Sequence, residues 1–348
     1  MSNRMSILLV LLAAMALVAC ERALLRPNPD TDARSILEEY LTLVEEKYAM
    51  LAPKGVDMAF LKDSLLNTVD GELSDAELFS RLAVVTNRLR DGHSSLLEGG
   101  DNGMEATFDL LKGFPRGVDR GILENNYIGR AVNPGIKQLD GDEFGVRAVW
   151  GTLPQAPDIG YLWLPTWAEE IDDSDIETIF RDLNGTTALI VDQRLNQGGD
   201  PNLAVKFAAY FIDEPLYVGF ERFKTGPGPS DFTNSEITMQ PANSDFRYLK
   251  PVAVLTDRNV YSAGLTFTYS LSPLDRVTFI GQRSGGGSGG VGDGYLANGW
   301  YWSLSVTEFV DHQGRYLDDG LDPDIPVALD LNDPSRDEVI ERAILELQ

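Results

Sequence analysis

The 348-residue chain is 43% hydrophobic and 24% charged, with 54 acidic residues against 29 basic ones and a formal net charge of −25. A chain of that length and composition buries a substantial core, and its charge repels nucleic acid, which excludes a DNA- or RNA-binding role. A single cysteine, Cys20, rules out an intrachain disulfide.

The first 20 residues, MSNRMSILLVLLAAMALVAC, begin with a basic Arg4, continue through an apolar run over 7–18 and end in small residues. That is the layout of a secretory signal, and the run is too short to span a bilayer. Leu17, Val18, Ala19 and Cys20 read as a bacterial lipobox. Cleavage before Cys20 would leave that cysteine carrying lipid, with residues 1–19 as signal peptide and 20–32 as a tether. Glu21 favours the outer membrane, with the protein facing the periplasm.

Residues 33–52 place Ile36, Tyr40, Leu43 and Val44 on one helical face. A second helix over 74–90 has a capping box, Ser74 with Glu77, and an apolar stripe of Leu78, Leu82, Val85 and Leu89. Gly92 suits the turn that ends it. Residues 33–100 thus form an N-terminal helical subdomain, and 101–158, rich in Gly and Asp, read as short strands and loops.

From 159 to 348 strands and helices alternate. TTALIVD (186–192) and KPVAVLTD (250–257) are near-continuous apolar runs, the mark of strands covered on both faces. VTFIG (277–281) is a third, and residues 300–309 supply further strand. Helices follow near 173–183, after Asp200-Pro201, from Ser262, and over 335–347 with Asp333 as cap and Pro334 in the first position. The pattern predicts an α/β domain with a largely parallel sheet. SGGGSGGVGDG (284–294) lacks the GK[ST] ending of a phosphate loop and reads as a flexible loop over a cleft. His312 falls in a hairpin turn, and Trp163, Trp167, Trp300 and Trp302 belong to the core or a cleft wall.

Ser262, in RNVYSAGLTF, sits where a buried strand hands the chain to a helix. Its local sequence suits a helix cap or a nucleophile. As a nucleophile it would have the Ala263 amide beside it for a developing oxyanion, with a second donor from Gly198 or Gly199 at the end of the neighbouring strand. Loops at the carboxyl ends of parallel strands are where such sheets place their sites. A base is needed, and the chain has only two histidines. His93, just past the capped helix, is either a partner of that helix's C-terminal dipole or the base. No residue after Lys250 is a lysine, and no set of metal ligands is apparent, so no cofactor is expected.

Four elements in one order, LRDGHSSL (89–96), VDQRLNQGG (191–199), VYSAGLTF (260–267) and GQRSGGG with GLDPDIPV (281–287, 320–327), resemble the tail-specific protease family, also called C-terminal processing peptidases. The tricorn protease core and the interphotoreceptor retinoid-binding protein share its domain. The resemblance implies a crotonase/ClpP-like core and a serine peptidase acting on peptide or protein substrates in the cell envelope. It maps the nucleophile onto Ser262 and, in the tricorn-like style, the base onto His93. Asp318, or else Asp319, would orient the histidine, with Ala263 and Gly198 or Gly199 binding the oxyanion. The lysine of the family's Ser–Lys style has no counterpart here. Gly92 replaces the serine that precedes the tricorn histidine, Leu265 replaces a frequent glutamate, and no PDZ domain separates the helical part from the core. The retinoid-binding relatives imply the alternative, an envelope lipoprotein that binds peptides or hydrophobic ligands without cleaving them.

Overall fold

The computed structural model describes residues 31–69, 71–99, 103–109 and 111–348; the signal, the lipobox and Cys20 lie outside them. Asp32 opens the first helix, α1 (Ala33–Lys47), by accepting from the amides of Arg34 and Ser35. Asp57 does the same for α2 (Met58–Leu66) through Phe60. The capping box over Ser74 and Glu77 starts α3 (Asp75–Leu89), whose predicted stripe of Leu78, Leu82, Val85 and Leu89 is buried throughout. Arg90 ends that helix in the left-handed region at φ 50°. Two three-residue strands follow, β1 (Ser95–Leu97) and β2 (Glu105–Thr107).

After a short helix α4 (Arg120–Leu123), the strands β3 (Lys137–Asp140), β4 (Val146–Leu153) and β5 (Ala156–Trp163) run as an antiparallel set. Then come α5 (Asp173–Leu183), β6 (Ala188–Asp192), α6 (Pro201–Ala208), the hairpin of β7 (Leu216–Lys224) and β8 (Phe232–Met239), and β9 (Val252–Thr256). The chain closes with α7 (Ala263–Leu271), β10 (Val277–Gly281), β11 (Val291–Tyr295), β12 (Tyr301–Ser305), β13 (Thr307–Asp311), β14 (Ile325–Pro326) and α8 (Glu338–Leu347).

The central sheet has the order β14-β10-β9-β6-β5-β4-β3, parallel from β14 to β5. Side chains of β6 and β9 alternate between its two faces. Leu189, Val191, Val252 and Val254 pack with α5, α6 and α7. Ala188, Ile190, Ala253 and Leu255 pack with Val339, Ile340, Ala343 and Ile344 of α8. Both strands are therefore apolar at every position before their last residues, Asp192 and Thr256, as their sequences suggest. The cap of α8 is Asp337, which accepts from Val339 and Ile340, and not Asp333. The reason lies inside: Arg194 draws the Asp337 carboxylate into the core at 2.9 Å.

Two smaller antiparallel sheets complete the molecule, β11-β12-β1-β2 and β13-β7-β8. The first interleaves the two ends of the chain, with Ser95 opposite Ser303. Leu296, Trp300 and Leu304 share one core with the three N-terminal helices.

Candidate active site

At the end of β9 the backbone turns through residues 257–261 and reaches Ser262 at φ 52° and ψ −121°. A serine there lies in a sparsely populated region that costs on the order of 1–3 kcal/mol unless neighbours hold it. They do. The Ser262 amide donates to Gly286 O at 3.0 Å, and the Tyr261 amide donates to Asn196 O at 3.1 Å. Ser262 stands at the cap position of α7, yet its hydroxyl caps nothing and makes no hydrogen bond among the described residues. The ordinary cap reading therefore fails.

Tyr261's bond to Asn196 joins the serine turn to the glycine turn that follows β6. Asn196 is fully buried. Its side-chain amide donates to Leu164 O at 2.8 Å and its Oδ1 accepts from the Gly198 amide at 3.0 Å. Gly198 (φ 111°) packs so close that an added Cβ would sit 2.8 Å from Ser262 Cβ and 3.0 Å from the Ala263 nitrogen. Its N–H is taken by Asn196. The amides of Gly199 and Ala263, by contrast, donate no hydrogen bond among the described residues.

This turn is anchored by Arg194, fully buried. Its guanidinium pairs with Asp192 at 2.6 Å and Asp337 at 2.9 Å and donates to Gly117 O at 3.1 Å.

His93 reaches the same region from the other side. Its carbonyl accepts from Ser303 Oγ of β12 at 2.7 Å. Its ring meets Tyr261 edge-on, with centroids 4.8 Å apart. Behind it lies Asp91, buried, which accepts from the His93 amide (2.9 Å), Ser94 Oγ (2.9 Å), Ser305 Oγ (2.8 Å) and Tyr261 OH (3.3 Å). Burial alone would raise the Asp91 carboxyl, but Lys54, His93 and these donors outweigh it and hold it below the ordinary range. Burial lowers the His93 pKa, Asp91 pulls it back up, and Lys54 adds to the lowering; the net direction is down.

Asp318 joins this group differently from the sequence expectation. No hydrogen bond or ion pair links it to His93. Its carboxylate instead lies 2.5 Å from the ammonium of Lys54, and both side chains are buried. Burial, with Asp91 nearby, pushes the Asp318 carboxyl up to about 6 although Lys54 opposes the shift. A buried ammonium attracts the carboxylates within reach, and Lys54 stands between Asp318 and the histidine's own loop, donating to Arg90 O at 2.8 Å. Asp319's backbone carbonyl accepts from Arg258 at 3.3 Å, and Asp319 does not line the cavity beside Ser262.

The glycine run is not a loose flap. Gly285 N donates to Val260 O, Gly287 N donates to Asp318 O, and Gly286 O holds Ser262. At Gly286 (φ 96°) an added Cβ would fall 1.8 Å from Asp318 O, so glycine is required there.

Ser262, Ala263, Gly199 and His93 line one cavity of about 330 Å³, with Pro201, Thr266, Tyr269, residues 287–291, Glu221, Ile237 and Phe309. Gly198 lies behind Ser262, and Asp318 lies behind Gly286 and Gly287. Sequence reasoning missed Lys54, Asp91, Arg194 and Asn196. Three carried a signal: Asp91 stands two residues before His93, and Arg194 and Asn196 fall inside the quoted QRLNQGG turn.

Residues 158–327 match the model of Peptidase family S41. That segment contains Ser262, both glycines and Asp318, while His93 precedes it. A solved candidate peptidase from Parabacteroides merdae ATCC 43184 is 27% identical, with a TM-score of 0.81 over 91% of this chain and 97% of its own. Mature CPAF, solved with lactacystin, is 15% identical at a TM-score of 0.62, over 90% and 96% of the two chains. The photosystem II D1 C-terminal processing protease is 15% identical at 0.53, over 88% and 97%. The latter two likenesses concern the fold alone.

Proposed function

This chain belongs to peptidase family S41, and from that premise we propose that it is a serine endopeptidase of the bacterial cell envelope, held to a membrane by lipid on Cys20. Ser262 Oγ attacks the peptide carbonyl, and neutral His93 takes its proton. The oxyanion settles between the amides of Ala263 and Gly199. His93 then protonates the leaving amine, and water, deprotonated by His93, releases the acyl group. The lowered pKa of His93 keeps the imidazole unprotonated near neutrality, as a base must be. Asp91 is the carboxylate whose charge favours the imidazolium formed on the way, and Lys54 helps keep Asp91 ionised.

One observation carries the reading. A serine in a strained backbone shares a cavity with a histidine and two amides, and among the described residues its hydroxyl and both amides make no hydrogen bond. Preorganised amides of that kind are worth roughly 3–4 kcal/mol each in barrier height. Ser262 and His93 are not hydrogen-bonded to each other in the free protein, a looseness common before substrate binds.

A fluorophosphonate probe tests it. Mass spectrometry is expected to find the label on Ser262, Ser262→Ala to abolish labelling, and His93→Ala to slow it by about 100-fold or more. Folded wild-type protein that takes no label would overturn the hydrolase and leave the ligand-binding lipoprotein in its place.

A further inference from the structure

The cavity beside Ser262 holds one carboxylate that the hydrolytic steps do not use. Glu221 lies on β7, opposite Phe309 of β13 in the strand register. Glu221, Ile237 and Phe309 together form the wall that the three-stranded sheet contributes to the cavity. Phe309 is stacked on Tyr269 with centroids 3.8 Å apart, which gives that wall a flat apolar surface. Glu221 Oε1 accepts from Thr307 Oγ1 at 2.6 Å, and Thr307 Oγ1 in turn accepts from the Gly290 amide at 2.6 Å. The carboxylate is thus fixed against the glycine run, 3.6 Å from where a Cβ on Gly290 would stand.

What Glu221 lacks is a cation. Among the described residues it enters no ion pair, whereas the neighbouring cations are engaged elsewhere: Arg222 pairs with Glu308, and Lys224 lies over the Phe232 ring at 5.1 Å. Of the residues lining the cavity, only Glu221, His93 and Tyr269 titrate, and His93 is held toward its neutral form. The lining therefore mixes apolar side chains with uncharged hydroxyls and amides around a single fixed carboxylate. A lysine or arginine side chain has the matching shape, an aliphatic stem ending in a cation.

We infer that Glu221 is a specificity-determining residue, and that the substrates are peptides carrying lysine or arginine next to the scissile bond. This rests on the proposed peptidase reading, so the test includes a binding measurement that needs no catalysis. Capped alanine-based hexapeptides, identical except for lysine or norleucine at one position, are titrated calorimetrically into Ser262→Ala protein and into Ser262→Ala/Glu221→Gln protein. Glutamine keeps the size of the side chain and its bond with Thr307. At one position or more, lysine should bind about tenfold or more tightly than norleucine, and Glu221→Gln should erase that ratio.

In the protein with Ser262 intact, the ratio of kcat/KM for lysine over norleucine should fall by the same factor in Glu221→Gln. Glu221→Lys should favour glutamate over norleucine instead. Equal binding of the two peptides by Ser262→Ala protein, or a lysine preference that survives Glu221→Gln, would overturn the inference whether or not Ser262 is catalytic. Loss of fluorophosphonate labelling with the binding preference intact would overturn only the peptidase reading.

Discussion

Lys54 bears on the titrating groups Asp91, His93 and Asp318 in and around the His93 loop. Its ammonium is buried, fixed by Arg90 O and Asp318, and it acts on three acids and bases at once. It helps to keep Asp91 ionised, opposes the rise of Asp318 and lowers His93. The signs give a test. His93 must be neutral to act, so the acid limb of kcat/KM should have its midpoint below pH 6.5, the ordinary value. Lys54→Met removes a lowering influence and should move that limb to higher pH. Asp91→Asn removes a raising influence and should move it to lower pH, with kcat reduced about tenfold or more. A limb that stays in place in both variants would mean that His93 is not the titrating base. Nothing in the sequence marks Lys54. It is one lysine in the loop LAPKGVD, which by composition belongs in water, and its partner Asp318 is far away along the chain. His93 and Ser262 were legible because each borders a clear element, a capped helix and a buried strand.

At the scale of elements, the site depends on two turns held in register by Tyr261 N to Asn196 O. Arg194 fixes the glycine turn to the start of α8 and to the end of β6. Arg194→Met would leave Asp192 and Asp337 buried without their cation. The expected loss is about 3–5 kcal/mol, read as a lowered urea midpoint, and labelling of Ser262 should weaken with it as the turn loses its anchor. A midpoint unchanged from wild type would show that the triad does not hold the turn. Arg194 also explains why the start of α8 was misread. Asp333 with Pro334 is the stronger local signal, but a buried guanidinium selects Asp337. The buried strands β6 and β9 were plain in the sequence because both faces are covered. Strands β1 and β2, only three residues each, and β11, whose VGDGY is broken by glycines and half exposed, were not, and β1 finds its partner β12 some 200 positions away.

Taken whole, the molecule is an acidic body, formal net charge −25, with one fixed carboxylate in its cavity. Such a field raises the encounter rate of cationic peptides and is screened by salt, with a Debye length of about 10 Å at 0.1 M. For lysine-bearing peptides kcat/KM should fall several-fold between roughly 0.02 M and 0.3 M NaCl, while norleucine counterparts should change little. Equal salt dependence of the two would show that the field does not steer. Alternation of strand and helix disclosed the α/β core. The sharing of one small sheet between the first and last parts of the chain was hidden, because it depends on pairing across most of the sequence.

That shared sheet has a consequence for how the protein is made. Synthesis runs from the N-terminus, so Ser262 and both glycine amides exist before β12 does. Until residues 301–303 are added, β1 has no neighbour on that side and the His93 carbonyl has no Ser303 to hold it. On the peptidase reading, an unfinished chain would carry a nucleophile without a seated base. It would stay chemically silent toward its surroundings until nearly all of it has been produced.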